Sequence, residues 1–365
     1  MKYTTVAAAA ALLHASAALA TPISTLRAAA ASKVKFAGVN IAGFDFGCGT
    51  DGTCTQTVSN ATNPLTSSDG QGQMDHFIKT DGLNAFRLPV GWQYLVNHQL
   101  GGDLDATAAK AYDDLVQGCL TSGAEMCIVD IHNYARWNGQ IIGQGGPTNE
   151  QFVSLWKQLA TKYADSPKVA FGVMNEPHDV PDISVWADTV QQVVTAIRNA
   201  GAKDQYILLP GNDWTSAAAF VDNGSGAALL KVKNPDGSAD KLIFDVHKYL
   251  DSDNSGTHTD CVTNNIDDAF KPLAEWLRTN KRMAINTESG GGNTDSCEKY
   301  FCEQIQYLNQ NADVFLGYTA WSAGGFDQTY ELVQTPIKQS DGTYKDTALA
   351  QKCTVGMWAN STSSA

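Results

Sequence analysis

Residues 169–213 read VAFGVMNEPHDVPDISVWADTVQQVVTAIRNAGAKDQYILLPGND. The two ends of this stretch, Val169–Pro177 and Tyr206–Asp213, begin as short apolar runs and finish in polar residues. The segment between them, Ile183–Ala200, carries valine and isoleucine at i, i+3, i+4 and i+7 from Val190 to Ile197. That spacing is typical of an amphipathic helix. The stretch therefore predicts a strand, a helix and a second strand.

The same unit recurs along the chain. Eight strand-like runs alternate with helical segments, which favours a parallel sheet closed into a single (β/α)₈ TIM barrel of the α/β class. The runs are Val34–Gly43, Ala85–Trp92, Met126–Tyr134, Val169–Pro177, Tyr206–Asp213, Leu242–Asp251, Met283–Gly290 and Phe315–Gly324. The helical segments include Ala106–Ser122, Glu150–Tyr163, Ile183–Ala200 and Ile266–Asn280. A doubly wound open sheet is the alternative, but no glycine-rich phosphate turn of the GxGxxG type follows any run.

Polar residues end every one of these runs. Because the C-terminal ends of barrel strands face one rim, these residues would meet at a single site. The stretches are VN (39–40), FRLP (86–89), DIHNY (130–134), MNEP (174–177), GNDW (211–214), DVHKY (245–249), NTESG (286–290) and AWS (320–322). One polar strand end is usually a loop cap, whereas eight together indicate a functional site.

Two glutamates end the fourth and seventh runs, Glu176 and Glu288. In an eight-stranded barrel these ends lie on opposite sides of the mouth, so the two carboxyl groups can converge across a cleft. Glycoside hydrolysis requires two carboxyl groups that flank one bond. One protonates the leaving oxygen, while the other attacks the anomeric carbon or activates water. The pair therefore predicts a carbohydrate-cleaving site.

The chain resembles glycoside hydrolase family five from about Gly38 to Gly325. The resemblance rests on NEP (175–177), TESG (287–290), FRLP (86–89), IHNY (131–134), VHKY (246–249) and AWS (320–322). With GVNIAG (38–43) and WNG (137–139) added, the chain is similar to the fungal secreted endo-β-1,4-glucanases of that family. A single catalytic TIM-barrel domain is what this resemblance implies.

The resemblance also implies roles for the strand-end residues. Glu176 would be the general acid/base, which must hold its proton when the bond breaks. Glu288 would be the ionised nucleophile of a double displacement that retains the anomeric configuration. Arg87 and Tyr249 would keep Glu288 anionic and oriented through charge and hydrogen bonding. Asn175 would bind the 2-hydroxyl of the sugar.

Three further residues follow from the matching motifs. His132 and His247 would complete the polar surroundings of the cleaved sugar. Trp321 would form an apolar floor beneath it, because the C–H face of a pyranose packs against an aromatic ring. These residues are expected to contact substrate.

Four residues are weaker substrate-contact candidates. Trp137 and Trp214 follow strand ends and are predicted as further sugar platforms, although aromatic core packing is an equal alternative for both. Asn40 and Asn212 are predicted as polar contacts. The two tryptophans follow runs and the two asparagines stand near the ends of runs, so all four are expected at the rim of the barrel.

The predicted mechanism needs no metal and no cofactor, and its partner is an uncharged β-glucan. The stretch DSDNSG (251–256) begins like a calcium loop, but position twelve is Val262 instead of glutamate, so it is predicted as a polar loop. A β-mannanase or mixed-linkage glucanase of the same fold is an alternative. A non-catalytic carbohydrate-binding barrel is another, which the intact pair of glutamates disfavours.

The charge balance narrows the partners further. The chain has 25 Lys+Arg and 38 Asp+Glu among 365 residues, a formal net charge of −13. Nucleic acids and anionic membrane surfaces favour basic partners, so neither is expected here. No segment after the N-terminal leader is long and apolar enough to span a membrane. We expect a monomer.

The N-terminus predicts export from the cell. Residues 1–20 have one lysine, an Ala/Leu-rich stretch and a small-x-small site before Thr21, the pattern of a secretory signal peptide. Residues 21–32 are then an N-terminal extension, and 33–365 form the catalytic domain. The sequons at Asn60, Asn223 and Asn360 are candidate glycosylation sites.

The eight cysteines predict four disulfides in an oxidising compartment. Short loops favour the pairs Cys48–Cys54 and Cys119–Cys127. The remaining four cysteines, Cys261, Cys297, Cys302 and Cys353, leave their pairing open. A zinc site is disfavoured because no CxxC pair exists.

Overall fold

A computed structural model of the chain describes Met1 and residues 33–361. Residues 33–361 contain a closed barrel of eight parallel strands. The barrel strands are β1 (Phe36–Ala42), β2 (Ala85–Val90), β3 (Met126–Ile131), β6 (Val169–Gly172), β7 (Ile207–Pro210), β8 (Leu242–His247), β9 (Ala284–Glu288) and β10 (Phe315–Gly324). Around the barrel they follow the order β1-β10-β9-β8-β7-β6-β3-β2. Each of the eight predicted runs contains one of these strands. The predicted (β/α)₈ TIM barrel is confirmed.

Helices connect the barrel strands. They are α1 (Pro64–Ser67), α2 (Gly70–Lys79), α3 (Trp92–Leu95), α4 (Ala106–Ser122), α5 (Asn149–Lys162), α6 (Ile183–Asn199), α7 (Ser225–Leu229), α8 (Lys271–Asn280), α9 (Asp295–Gln310) and α10 (Gly356–Asn360). All four predicted helical segments are present. The fourth is divided, because the π-helical turn Ile266–Phe270 precedes α8. Pro272 has no N–H to donate and is therefore tolerated only in the first turn of an α-helix, which places the start of α8.

Helix α6 illustrates how the sequence specifies these elements. Asp182 caps the helix, because its Oδ1 accepts a hydrogen bond from the backbone N–H of Ser184 at 2.8 Å. The valine and isoleucine stripe from Val190 to Ile197 is fully buried. Burial of each such side chain stabilises the fold by about 1.5–3 kcal/mol. The N-cap and the apolar stripe thus both specify a helix in this segment.

The barrel interior changes from apolar to polar along strand β8. Side chains two residues apart on a strand point the same way, so Ile243, Asp245 and His247 of β8 all face inward. Ile243 belongs to an apolar layer inside the barrel. Asp245 and His247 follow it towards the C-terminal rim and are buried as well. The alternation thus carries polar side chains from the interior to the rim.

Two short hairpins and four disulfides complete the described part of the chain. The hairpins are β4 (Arg136–Trp137) with β5 (Gln140–Ile141), and β11 (Ile337–Lys338) with β12 (Tyr344–Lys345). The disulfides are Cys48–Cys54, Cys119–Cys127, Cys261–Cys297 and Cys302–Cys353. The two pairs predicted from short loops are confirmed. The other two close longer loops, which spacing alone did not assign.

Three expectations concern the ends and the surface. The predicted signal peptide and the extension lie outside the described residues, except for Met1. Among the described residues, no helix is long and apolar enough to cross a membrane. The sequon residues Asn60 and Asn360 are exposed, whereas the Asn223 amide donates a hydrogen bond to Asp213 Oδ2 at 3.0 Å.

Candidate active site

A cleft of about 650 Å³ opens where the barrel strands end. Six of the twelve predicted site residues line it, namely His132, Glu176, Trp214, Tyr249, Glu288 and Trp321. Its other lining residues include Thr50, Tyr134, Asp213, Ser216, Ala219, Lys248, Asp253, Asn254, Ser255, Gly256, Thr257 and Tyr330. Active sites of TIM-barrel enzymes lie at this rim, so the position of the cleft agrees with the sequence prediction.

Glu288 is the last residue of β9 and is 4% exposed. Its Oε1 forms an ion pair with the Arg87 guanidinium, and its Oε2 accepts a hydrogen bond from Tyr249 Oη at 2.8 Å. Burial acts to raise the pKa of Glu288, but the positive charges of His247, Arg87 and His132 outweigh it and lower that pKa. The side chain is therefore held as a carboxylate, as a nucleophile requires.

Arg87 is fully buried in the barrel and serves as the cationic partner of Glu288. Its Nη1 donates to Asn40 Oδ1 at 3.0 Å, and its Nη2 donates to Asn175 Oδ1 at 2.7 Å. The Asp130 carboxylate lies 3.0 Å from Nη2. These acceptors fix the orientation of the planar Arg87 guanidinium, so the cation that pairs with Glu288 is held in place by other contacts.

Both polar groups of the Asn40 amide are engaged within the protein, and its predicted substrate contact stays a prediction. Its side chain is fully buried, and its Nδ2 donates to the carbonyl oxygen of Thr287 at 2.9 Å. Its Oδ1 accepts from Arg87 at 3.0 Å. Asn40 thus positions Arg87 and the end of β9 and does not line the cleft. The sequence pattern placed Asn40 near the C-terminal end of its strand, but it could not predict which groups the side-chain amide contacts.

Glu176 lies in the loop that follows β6, and its side chain is 14% exposed. The predicted run Val169–Pro177 is longer than the strand, which ends at Gly172. The backbone at Glu176 has a φ of 40°, a left-handed conformation that a non-glycine residue adopts rarely. Its Oε1 lies 2.8 Å from Nδ1 of His247.

The two glutamates approach each other closely. One carboxylate oxygen of Glu176, one of Glu288 and one nitrogen of His247 all lie within 4.8 Å of one another. The distance from His247 Nδ1 to Glu288 Oε2 is 3.6 Å. Burial acts to lower the pKa of His247, but Glu288, Glu176 and a further buried aspartate outweigh it and raise that pKa. The site therefore holds two carboxyl groups around one basic nitrogen.

His132 and Asn175 contact each other beside the ion pair of Arg87 and Glu288. His132 Nδ1 donates to Asp130 Oδ2 at 2.9 Å, and its Nε2 faces Asn175 Nδ2 at 3.3 Å. Since Asn175 Oδ1 accepts from Arg87, both polar atoms of that amide are already engaged. The His132 ring stacks on Trp321, with ring centroids 5.6 Å apart. The expected sugar contact of Asn175 stays a prediction.

Aromatic side chains lie at two places in the cleft. Trp321 belongs to β10, and its Nε1 donates to Tyr330 Oη at 2.9 Å. Trp214 follows β7, is 40% exposed, and stacks on His178 with ring centroids 3.8 Å apart. An exposed tryptophan held flat by a second ring is suited to bind the apolar face of a sugar. Of the two tryptophans predicted as further platforms, Trp214 has the exposure this requires.

Trp137 and Asn212 are not among the residues that line the cleft, and their predicted substrate contacts stay predictions. Trp137 lies in the short strand β4, is 8% exposed, and packs edge-on against Trp92 with ring centroids 5.0 Å apart. These contacts agree with core packing, the alternative given above for Trp137. Asn212 Oδ1 accepts from the backbone N–H of Val180 at 3.0 Å. Its amide fixes a loop, as strand-end asparagines often do.

Sequence reasoning missed several lining residues. Tyr134 and Lys248 stand within stretches that were recognised, but neither was selected from them. Tyr330 lies in the loop after β10 and has no motif of its own. The loop 253–257 was predicted only as a polar loop, yet it forms one edge of the cleft. Such loop residues are placed by tertiary packing, which strand patterns do not encode.

A TIM barrel with a rim cleft, two close carboxyl groups and flanking aromatic rings defines a class of protein, the glycoside hydrolases. Comparison with known families agrees with this. The family model "Cellulase (glycosyl hydrolase family 5)" matches residues 39–324. The chain belongs to glycoside hydrolase family 5.

Relatives within that family are similar over most of the chain. Endoglucanase EG-II of Hypocrea jecorina is 65% identical over 327 residues, which covers 88% of this chain and 78% of that protein. Endoglucanase 1 of Saitozyma flava is 47% identical, and the aligned region covers 86% of this chain and 89% of that protein. The crystal structure of Cel5A (EG2) from Hypocrea jecorina matches with a TM-score of 0.85 and 66% sequence identity. The matched region covers 88% of this chain and 98% of the chain in the crystal structure.

Proposed function

We propose that the protein is a retaining endo-β-1,4-glucanase in which Glu288 is the nucleophile and Glu176 the general acid/base. The observation that carries the proposal is the approach of their carboxylate oxygens to within 4.8 Å. Retaining enzymes hold the two carboxyl groups about 5–5.5 Å apart, whereas inverting enzymes need about 6.5–9.5 Å to admit a water molecule. The short separation favours direct attack on the sugar.

The first step forms a glycosyl-enzyme. A carboxylate oxygen of Glu288 attacks the anomeric carbon, and the bond between that carbon and the glycosidic oxygen breaks. The bonding electron pair leaves with the oxygen, which takes a proton from Glu176. Glu288 is suited to attack because Arg87 and Tyr249 keep it ionised and oriented.

The second step releases the sugar. Glu176, now a carboxylate, removes a proton from water as the water oxygen attacks the anomeric carbon. The bond between the anomeric carbon and Glu288 breaks, and its electron pair returns to the Glu288 carboxylate. Two inversions restore the β configuration. Glu176 needs access to water for this, and its side chain is more exposed than that of Glu288, 14% against 5%.

The substrate proposal rests on the cleft and on the relatives. Trp214 follows β7 and Tyr330 follows β10, so aromatic rings line the cleft at two separate strand ends. Sugar units bound on both sides of the cleaved bond are what an enzyme that cuts internal bonds requires. Both relatives reported above are named endoglucanases, which favours β-1,4-glucan over mannan.

We also propose that the protein is secreted and that residues 33–365 are its catalytic domain. The leader pattern of residues 1–20 supports export. The four disulfides of the described residues support an oxidising compartment. The expected monomeric state stays a prediction.

The nucleophile assignment is tested by Glu288→Ala, with Glu150→Ala on the exposed start of α5 as the matched control. Glu288→Ala should abolish hydrolysis of an aryl β-cellobioside while the protein still folds. Azide should restore turnover and yield an α-glycosyl azide, because azide enters from the face that the carboxylate occupied. Undiminished hydrolysis by Glu288→Ala, or a β-glycosyl azide, would contradict the assignment.

The substrate assignment is tested by viscosity. The enzyme should thin carboxymethyl-cellulose rapidly while it releases few reducing ends, since each internal cut shortens the polymer greatly. Mannan solutions at equal concentration serve as the comparison. Preferential thinning of mannan would replace the glucanase assignment with that of a mannanase.

A further inference from the structure

The buried polar groups behind His247 are not used by the two chemical steps. Asp245 lies on β8 and is 1% exposed, and Thr287 lies on β9 and is fully buried. Thr287 Oγ1 lies 2.5 Å from Asp245 Oδ1 and 2.9 Å from His247 Nε2. On its other side, His247 Nδ1 contacts Glu176 Oε1 at 2.8 Å. A continuous chain thus runs from a buried carboxylate to the proposed catalytic acid.

The directions of these hydrogen bonds follow from the single hydroxyl hydrogen of Thr287. An ionised Asp245 can only accept, so the Thr287 hydroxyl donates to it. The Thr287 oxygen must then accept from His247, which requires a hydrogen on Nε2. His247 Nδ1 is therefore the nitrogen that exchanges a proton with Glu176, and the ring cannot adopt the opposite tautomer without losing the bond to Thr287.

Charged groups surround His247 on several strands. Glu176 follows β6, Asp245 shares β8, and Glu288 ends β9, so three carboxyl groups face the ring. Arg87 of β2 is the nearby cation, but it is paired with Glu288 and with Asp130 of β3. Of these three carboxyl groups, those of Glu176 and Glu288 line the cleft, and Glu288 also pairs with Arg87. Asp245 does neither.

We propose that Asp245 and Thr287 are positioning residues that hold His247 with Nδ1 towards Glu176, so that the Glu176–His247 pair retains the proton which the catalytic acid delivers. This inference rests on the proposed role of Glu176. Asp245 and Thr287 do not touch the sugar. They act through the orientation of His247 and through the negative charge of Asp245, 3.9 Å from Nε2.

The first test removes the hydroxyl group without changing the shape of the side chain. Thr287→Val should lower kcat/KM at least about 10-fold on unactivated cello-oligosaccharides, whose leaving group needs a proton. On 2,4-dinitrophenyl cellobioside, whose leaving group needs none, kcat/KM should change less than about 3-fold. The KM for oligosaccharides should stay the same, and Thr287→Ser should restore activity because it returns the hydroxyl.

The second test removes the charge and keeps the acceptor. Asp245→Asn should move the alkaline limb of kcat/KM towards lower pH by about 1 unit, because the pair loses a negative charge that helps it to keep its proton. The alkaline limb is the informative one, since burial raises the pKa of Asp245 to about 6 and the carboxyl is ionised at higher pH.

Thr189→Val is the matched control, because Thr189 is also a buried threonine, with its hydroxyl bonded to Asn149 Oδ1 at 2.8 Å in the outer helices. It should leave the leaving-group dependence and both pH limbs unchanged. Equal losses on activated and unactivated substrates in Thr287→Val, or an unmoved alkaline limb in Asp245→Asn, would overturn the inference. Glu176→Gln separates the two proposals: if it retains full activity on oligosaccharides, the proposed acid itself is wrong.

Discussion

The hydrogen bond from Tyr249 to Glu288 offers a quantitative test of how the proposed nucleophile is kept ionised. Tyr249 Oη donates to Glu288 Oε2 at 2.8 Å, and both side chains are buried. Tyr249→Phe removes that donor and keeps the ring. A hydrogen bond to a charged group contributes about 1.5–3 kcal/mol. Since one pKa unit corresponds to about 1.4 kcal/mol, the pKa of Glu288 should rise by about 1–2 units.

The sign of the pH effect follows from the lowered pKa of Glu288. A carboxyl group with a depressed pKa in the folded state stabilises the protein above its unfolded pKa, and this contribution is lost as the pH falls through the folded pKa. Tyr249→Phe should therefore lower the free energy of unfolding at neutral pH and have a smaller effect in acid. The acidic limb of kcat/KM should move to higher pH.

The assay is kcat/KM against pH on 2,4-dinitrophenyl cellobioside. That leaving group needs no proton, so the profile reports the ionisation of the proposed nucleophile without that of the proposed acid. Tyr112→Phe is the control, because Tyr112 is also buried and its hydroxyl donates to the Leu88 carbonyl at 2.6 Å, away from Glu288. It should lower stability without moving the acidic limb. An acidic limb that stays in place in Tyr249→Phe would refute the reasoning.

Further predictions concern the cleft and the disulfides. Trp214→Ala should raise KM for cello-oligosaccharides about 3- to 10-fold with kcat unchanged, whereas Trp137→Ala should lower the free energy of unfolding by about 3–5 kcal/mol and leave KM unchanged. The reverse pattern in steady-state kinetics would reject the assignment of Trp214 as the platform. Loss of Cys302–Cys353, which are 51 residues apart, should cost about 4 kcal/mol, and loss of Cys48–Cys54, 6 residues apart, about 2 kcal/mol. Guanidinium unfolding measures both, and equal losses would argue against the loop-entropy reasoning.

The fold was predictable because each strand-helix unit is encoded locally. The runs at Val169–Pro177 and Tyr206–Asp213 contain strands, and the stripe between them is the buried face of α6. The predicted runs were longer than the strands where polar residues follow, as at β6 and β7. β6 ends at Gly172, so Glu176 lies in the following loop, where its backbone has a left-handed conformation.

The side-chain roles were less predictable than the positions. Asn40 and Asn212 both end strand-like runs, and both use their amides to hold backbone groups. Trp137 and Trp214 both follow strand ends, but only Trp214 is exposed in the cleft. Orientation and burial depend on contacts between distant segments, which a single strand pattern does not contain.

The chain behind His247 illustrates the same limit. Asp245 and Thr287 stand in the stretches DVHKY and NTESG, which were recognised for His247 and Glu288. Their contact at 2.5 Å joins strands β8 and β9. The interior-facing alternation of each strand explains why both side chains point inward, but their pairing depends on the register between the strands.

The central claim is double displacement by Glu288 with Glu176 as the acid/base. The most direct measurement is ¹H NMR of the anomeric proton during the first minutes of cello-oligosaccharide hydrolysis, before the product equilibrates. The account predicts that the β-anomer of the new reducing end appears first and that the α-anomer grows in later by mutarotation. Initial appearance of the α-anomer would contradict it, because single displacement by water inverts the configuration.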